Sequence, residues 1–272
     1  MKSPLYTPAI PVTRTRPEDT GSRTAHGSRH RSDTRPAAER PEAIGVESPI
    51  EAAIRRGADI ILSSIALLVL TPVFVFVALA IKATSPGPVL YRQTRVGLNR
   101  RWGSRRASSG PAGRSDRRAR SRRALKAHGR PFEIVKFRTM VVNAEEYGPQ
   151  WSSEDDPRIT PTGKFLRMTR LDEIPQFWNV LRGDMSIIGP RPERPYFVNQ
   201  FVEELPNYPD RLRTRPGITG QAQVTLDYDA DIEDVKRKLE ADVDYLRSRS
   251  LVKDVGILFR TVGVVVTGKG AR

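Results

Sequence analysis

The stretch Thr169–Gln176 reads TRLDEIPQ: two adjacent carboxylates, Asp172 and Glu173, among arginines (Arg167, Arg170, Arg182), with Pro175 close behind. A pair of acids suits a hard divalent cation. Mg2+ in particular can hold carboxylate oxygens and the oxygens of a diphosphate at once. Proline is accepted in the first turn of a helix and disfavoured later. With Gly183 as a natural stop, a helix is predicted from near Asp172 through PQFWNVL. Both acids would then lie at a helix N-terminus, where the dipole keeps carboxylates ionised and a phosphate can bind. Taken alone, the pair also fits an ordinary N-cap followed by a first-turn acid.

Other segments add cations suited to phosphate. Arg158, Lys164, Arg167 and Arg170 lie nearby in sequence. IIGPRPERP sets Arg191 between Pro190 and Pro192, a stiff turn that presents a guanidinium fork, with Arg194 beside it. RTRPGITGQAQV offers Arg213 and Arg215 before a glycine-rich loop, and KFRTM puts Lys136 and Arg138 two residues apart, on one side of a strand. Each alone is an ordinary surface charge. With the acid pair they point to a polyphosphate substrate.

The elements that must position these groups begin with a helix near Ser48-Pro49. It runs into IILSSIALLVLTPVFVFVALAI (Ile60 to Ile81), an uncharged run that would cover roughly 33 Å as a straight helix, enough to cross a bilayer. A buried core helix is the alternative, but few soluble helices are apolar on every face. Thr71-Pro72 interrupts the run, and both flanks are basic: Arg55 and Arg56 before, Lys82, Arg92 and Arg95 after. Basic excess belongs on one side of a membrane. A helix that enters, breaks at Pro72 and returns to the cytoplasmic face fits both observations better than a kinked span. Thr84 to Asn99 reads as a turn and a strand, and Arg130 to Met140 as a second strand. The two would join as a hairpin through Asn99 and Gly129. After Asp229, Ile232, Val235, Leu239, Val243 and Leu246 keep helical spacing. A last helix carries Leu251, Val255, Leu258, Val262 and Val265 on one stripe, either packed on the core or lying on a membrane surface.

Composition excludes several classes. There is no cysteine, so disulfides, thiolate metal sites and a cysteine nucleophile are ruled out. The three histidines, His26, His30 and His128, all lie in low-complexity sequence, which argues against a histidine triad or histidine-bound zinc. The net charge of +15 suggests nucleic acid or an anionic membrane, but about +11 of it falls between Arg100 and Arg130. That block has one aromatic residue, Trp102, and no groove-reading motif, so no specific nucleic-acid partner is expected. Residues 1–48 read as a disordered tail rich in Pro, Arg, Ser and Thr.

The chain resembles the bacterial sugar transferases, the monotopic phosphoglycosyl transferases that include undecaprenyl-phosphate galactose and glucose phosphotransferases. The blocks that carry the resemblance are SPGPVLYRQTRVG, RPFEIVKFRTM, DPRITPTGKFLR, TRLDEIPQFWNVLRGDMSIIGPRP, RPGITGQAQV and DYLRSRSLVKDVGILFRTV, in order over residues 50–270. The resemblance implies a mixed, helix-rich α/β catalytic domain (84–272) on a re-entrant membrane helix (49–83), with amphipathic interfacial helices. It implies a plasma (inner) membrane protein with its catalytic domain on the cytoplasmic face. The reaction would move a sugar 1-phosphate from a nucleoside diphosphate sugar, expected to be a UDP-sugar, to undecaprenyl phosphate, releasing the nucleoside monophosphate. Such a step opens exopolysaccharide, capsule, O-antigen or glycoprotein glycan synthesis. Matched onto this chain, Asp172 would be the nucleophile and form a covalent aspartyl intermediate, Glu173 would ligate Mg2+, and Arg191 would hold nucleotide or phosphate. Lys136 and Arg138 would line the site, and Thr71-Pro72 would break the membrane helix. Two half-reactions at one carboxylate predict ping-pong kinetics. Membrane lipids are expected partners, with a second copy of the chain (a homodimer) as a further candidate.

The departure from the family pattern is the basic block at about 100–129, which reads as an insertion into the hairpin. It is either inert or held against anionic lipid. Larger family members carry additional spans and a further domain, so the chain reads as a minimal catalytic unit with a tail. Two other functional readings are a catalytically inactive membrane scaffold of a polysaccharide assembly complex and a membrane-tethered nucleic-acid binder.

Overall fold

The computed structural model describes residues 47–99, 128–146, 148, 150, 156–226 and 231–267. The chain divides into two units, Met1–Glu42 and Ala43–Arg272, and every described residue belongs to the second. The tail up to residue 46 and the basic block from 100 to 127 lie outside the described residues. Glu47 and Ser48, read as tail, are part of the fold. Glu47 pairs with Arg55 and Arg249, and the Ser48 hydroxyl accepts from Glu51 N at 3.1 Å, capping the first helix.

Helix α1 (Pro49–Val69) is followed after Leu70 by α2 (Thr71–Thr84), bent by 58° from it. Pro72 has no N–H to continue the ladder. Just before the break, Leu70 N donates to Ala66 O at 2.9 Å and Thr71 Oγ1 to Leu67 O at 2.8 Å. Among the described residues no single helix is long and apolar enough to cross a membrane.

The polar residues of α1 face inward. Arg55, Asp59 and Ser63, four apart, are its buried positions. Arg55 pairs with Asp254 at 2.6 Å. Asp59 Oδ1 accepts from Ser186 Oγ at 3.0 Å and Ile187 N at 2.9 Å. Arg56 donates to the carbonyls of Val180 (2.6 Å) and Leu181 (2.7 Å), in the last turn of a neighbouring helix, where orphan carbonyls and the dipole favour a cation. Meanwhile Ile50, Ile54, Ile61, Ile65 and Leu68 are exposed. The two arginines read as basic flanks of a membrane helix are thus what docks it to the rest of the molecule.

Strands β1 (Leu90–Val96) and β2 (Pro131–Phe137) pair antiparallel from Leu90↔Phe137 to Val96↔Pro131, as expected from the sequence. Pairing continues past the strand ends, with Gly97 N donating to Arg130 O at 2.9 Å and Arg130 N to Leu98 O at 3.2 Å. The hairpin is therefore still zipped where the basic block begins and ends. A β-carbon on Gly129 would come within 2.3 Å of Gly97 O, so the exit from the block demands glycine.

The chain then forms α3 (Pro161–Met168), a 3-10 turn (Leu171–Glu173), α4 (Gln176–Arg182), β3 (Ser186–Ile188) and α5 (Pro195–Glu204). A second 3-10 segment (Tyr208–Arg213), β4 (Gly217–Thr219), α6 (Gln221–Thr225), α7 (Ile232–Arg247) and α8 (Leu251–Thr267) complete it. β4 pairs in parallel with β3. One core cluster joins Phe132, Ile134, Val180, Met185, Ile187 and Ile257 under β2, β3 and α8. A second gathers Val198, Phe201, Tyr208, Leu212, Leu239 and Val243 between α5 and α7, and a third seats Val77 and Ile81 of α2 on Phe137 and Leu166. Of the periodic positions of α7, Val235, Leu239, Val243 and Leu246 are buried and Ile232 is half-buried. Those of α8 divide differently. It packs through Asp254, Ile257 and Leu258, while Val252, Val255, Phe259, Val262 and Val266 stand exposed at helical spacing. Of the stripe read as Leu251, Val255, Leu258, Val262 and Val265, the three valines face outward and Leu258 packs on the core.

Candidate active site

The acid pair is not at the start of a regular helix. Asp172 and Glu173 lie in the 3-10 turn, and α4 starts only at Gln176 with Pro175 as its N-cap, without a side-chain cap bond. The helix does end on Gly183, in the left-handed region as the sequence suggested. What aims the acids is Arg170, whose φ of 58° is the one positive φ of a non-glycine residue among those described. Such backbone costs on the order of 1–3 kcal/mol and tends to occur at functional sites. Arg170 lets the chain leave α3 and turn at once. Glu173 N closes the turn onto Arg170 O at 3.1 Å.

Both carboxylates are buried, at 7% (Asp172) and 9% (Glu173) exposure. Lys136, near the end of β2, reaches both: its Nζ is 2.7 Å from Glu173 Oε1 and 3.9 Å from Asp172 Oδ2. Arg191 Nη2 donates to the same Glu173 oxygen at 3.0 Å. The two acids therefore differ electrostatically. For Asp172 burial dominates and raises the pKa above the usual range. Lys136 opposes this, and the Glu173 charge adds to it. For Glu173 burial pulls the same way, but Lys136 and Arg191 outweigh it and hold the carboxyl well below its ordinary value. One acid is a firmly held anion. The other is a more basic carboxylate beside it.

The pair opens into a cleft of about 430 Å3, within the range of small-molecule sites. Lys136, Arg138, Arg158, Arg167 and Arg191 all reach its lining. Arg138 is committed elsewhere: its guanidinium donates to Pro86 O, to Ser85 O (2.9 Å) and to Ser85 Oγ (2.7 Å), clasping the turn between α2 and β1. Arg158 is paired with Asp156 at 2.6 Å, and Arg167 Nε donates to Thr139 Oγ1 at 3.1 Å. Arg215 is not among the cleft residues. It donates to Gly183 O at 3.2 Å, and Arg213 pairs with Asp210 at 3.2 Å. Pro190 and Pro192 brace Arg191 through their carbonyls, which accept from Gly217 N and Arg95 Nη1, both at 3.0 Å.

Sequence reasoning missed one wall. Tyr91, Gln93 and Arg95 line the cleft from β1, and the alternation along the strand was signal enough to group them. Tyr91 OH and Gln93 Nε2 donate to Glu145 Oε1 at 2.7 and 2.8 Å, and Arg194 pairs with Glu145 Oε2 at 2.7 Å. Burial raises the Tyr91 phenol to about 12, and its bond to Glu145 adds to this. Nothing in the local sequence marks Glu145, because its partners lie some fifty residues away on either side.

No group of three or more acids and histidines able to hold a metal occurs among the described residues. Mg2+, however, commonly takes one or two carboxylates and completes its shell with water and substrate phosphates. The ionised Glu173, with Asp172 alongside, is a donor set of that kind.

The chain matches the bacterial sugar transferase family over residues 50–102 and 117–268. It belongs to that family. The unmatched stretch falls inside the basic block, so the family's elements run on either side of it. Among curated relatives, the chain is 43% identical over 225 residues to the UDP-N-acetylgalactosamine-undecaprenyl-phosphate N-acetylgalactosaminephosphotransferase of Aeromonas hydrophila, covering 83% of this chain and 46% of that protein. It is 36% identical to the UDP-glucose:undecaprenyl-phosphate glucose-1-phosphate transferase of Escherichia coli K12, over 79% of this chain and 40% of the relative. The enzyme of the same name from Caulobacter vibrioides is 35% identical, over 80% of this chain and 71% of its own length. The chain thus spans less than half of the first two relatives.

Proposed function

We propose that this family member transfers a sugar 1-phosphate from a UDP-sugar to undecaprenyl phosphate. The observation that carries the reading is the acid pair: a buried, more basic Asp172 beside a Glu173 braced by Lys136 and Arg191, at the edge of a cleft. Relatives named as UDP-glucose or UDP-N-acetylgalactosamine phosphotransferases support the substrate classes.

In the first half-reaction a carboxylate oxygen of Asp172 attacks the phosphorus that bears the sugar. A new P–O bond forms, the bond to the nucleotide phosphate breaks, and UMP leaves with the electron pair. In the second, a phosphate oxygen of undecaprenyl phosphate attacks the same phosphorus and expels Asp172. A carboxylate approaching a diphosphate is opposed by charge. Lys136 and Arg191 offset that charge, and burial strengthens their effect. Mg2+ bound through Glu173 would supply further charge neutralisation on the diphosphate. Arg167 adds positive potential along the cleft, whereas the charge of Arg158 is balanced by Asp156.

The lipid acceptor calls for a membrane face, and several features support one. The outward sides of α1, α2 and α8 are apolar, including Leu68 (77% exposed), Phe76 (70%) and Phe259 (75%). The 58° bend between α1 and α2 fits a broken span or a re-entrant loop; basic residues on both flanks favour the re-entrant path, with the cleft on the cytoplasmic side, where nucleotide sugars are made.

The test is UMP release from a panel of UDP-sugars by the full chain in nanodiscs, with Mg2+, with and without undecaprenyl phosphate. Turnover should need the acceptor. A stoichiometric burst should appear without it, and both should vanish in Asp172→Asn and on chelation with EDTA. Full turnover by Asp172→Asn would remove the covalent role, and release from no donor would overturn the reaction.

A further inference from the structure

The turn that presents Arg191 is held with unusual completeness. Pro190 and Pro192 carry no N–H, so the turn has few donors with which to fix itself. Its carbonyls are fixed from outside instead. Pro190 O accepts from Gly217 N in β4 (3.0 Å), Pro192 O from Arg95 Nη1 in β1 (3.0 Å), and Glu193 O from Val96 N (2.9 Å). The carbonyl of Arg191 itself accepts from Arg211 Nη2 at 3.1 Å.

Arg211 is not a surface residue that happens to reach inward. It is 7% exposed, and its Nη2 lies 2.7 Å from Asp242 Oδ2 on α7, which is 2% exposed. Its Nη1 donates to the Tyr208 hydroxyl at 2.6 Å. A buried ion pair is expensive to desolvate and is seldom worth more than a well-packed apolar pair of the same volume. Neither Arg211 nor Asp242 lines the cleft. Yet the pair joins α7, whose Lys238 lines the cleft, to the backbone of Arg191, which shares Glu173 with Lys136.

We infer that Arg211 and Asp242 are positioning residues: they fix the Arg191 carbonyl and thereby hold its guanidinium on Glu173 and toward the donor's phosphates. Asp242 orients the Arg211 fork, Arg211 grips the turn, and the turn aims Arg191. The inference rests on the phosphotransfer reading of the site.

The test is a double-mutant cycle in the full chain. Asp242→Asn leaves a buried arginine unpaired and can fail to fold, so the working variant is Arg211→Met combined with Asp242→Leu. That change replaces the ion pair with apolar groups and leaves no buried charge unpaired, and a denaturant titration alongside checks that the variant is folded. It should slow UMP release by roughly tenfold or more, the scale expected for a misplaced catalytic group, and weaken UDP binding measured by calorimetry. In an Arg191→Ala background the same pair of changes should cost nothing further in either readout, because the residue they act through is gone. A purely structural role would instead multiply with Arg191→Ala. Independent, multiplying losses, or a paired variant as fast and as tight as the parent, would overturn the inference. UDP binding keeps the two failures apart: a chain that releases UMP from no donor refutes the reaction, while absent coupling in UDP affinity refutes the positioning role.

Discussion

Lys136 touches both acids, so its removal separates their roles. In the proposed reaction Asp172 attacks only when deprotonated. Burial raises its pKa, and Lys136 is the largest influence lowering it. Lys136→Met should therefore raise that pKa further and move the acidic limb of the pH profile for UMP release to higher pH, with Lys136→Arg closer to the parent. A limb that stayed in place would mean that Asp172 does not control it. The acid pair and Arg191 were legible in sequence because their neighbours are local. The difference between the two acids was not legible. It depends on which of them Lys136 and Arg191 approach, and those residues lie on separate elements. Arg138 and Arg215 show the converse. Each lies in a motif that reads as phosphate-binding, yet each donates to a backbone carbonyl, Ser85 O and Gly183 O. A sequence shows a cation but not whether a carbonyl has already claimed it.

At the scale of elements, the hairpin, α1, α7 and α8 could be read from periodicity and caps, and the start of α4 could not. Pro175 is compatible with either the first turn or the N-cap of a helix, and the left-handed Arg170 that shifts the acids into a 3-10 turn has no sequence signature. Helix α3 packs so tightly behind the site that a β-carbon on Gly163 would lie 1.9 Å from Thr139 O. Gly163→Ala should destabilise the protein by about 1–3 kcal/mol, the usual range for overpacking, measured by denaturant titration in detergent. It should also lower activity, because Thr139 borders the cleft. An unchanged midpoint would show that α3 can move away freely.

For the molecule as a whole, the sequence indicated an apolar N-terminal segment but left its environment open, because a run of apolar residues does not say which side of a helix meets protein. The structure places the polar stripe of α1 in the interior and leaves apolar faces of α1, α2 and α8 outward. If those faces meet lipid, Val255→Asp with Phe259→Asp should cut binding to vesicles of phosphatidylglycerol and phosphatidylethanolamine by about tenfold or more, since each charge must be dragged into the interface. Phosphotransfer to a short-chain, water-soluble acceptor should survive. Equal binding by the variant would place the lipid contact elsewhere.

Helix α1 writes two instructions on opposite sides of one cylinder. Arg55, Arg56 and Asp59 say where it attaches, while Ile50, Ile54, Ile61, Ile65 and Leu68 say what surrounds it. Because no residue serves both purposes, the second message can be rewritten without erasing the first. Glutamate and lysine at those five positions, with matching changes along α2 and α8, would give a version of this protein that keeps its architecture in plain buffer.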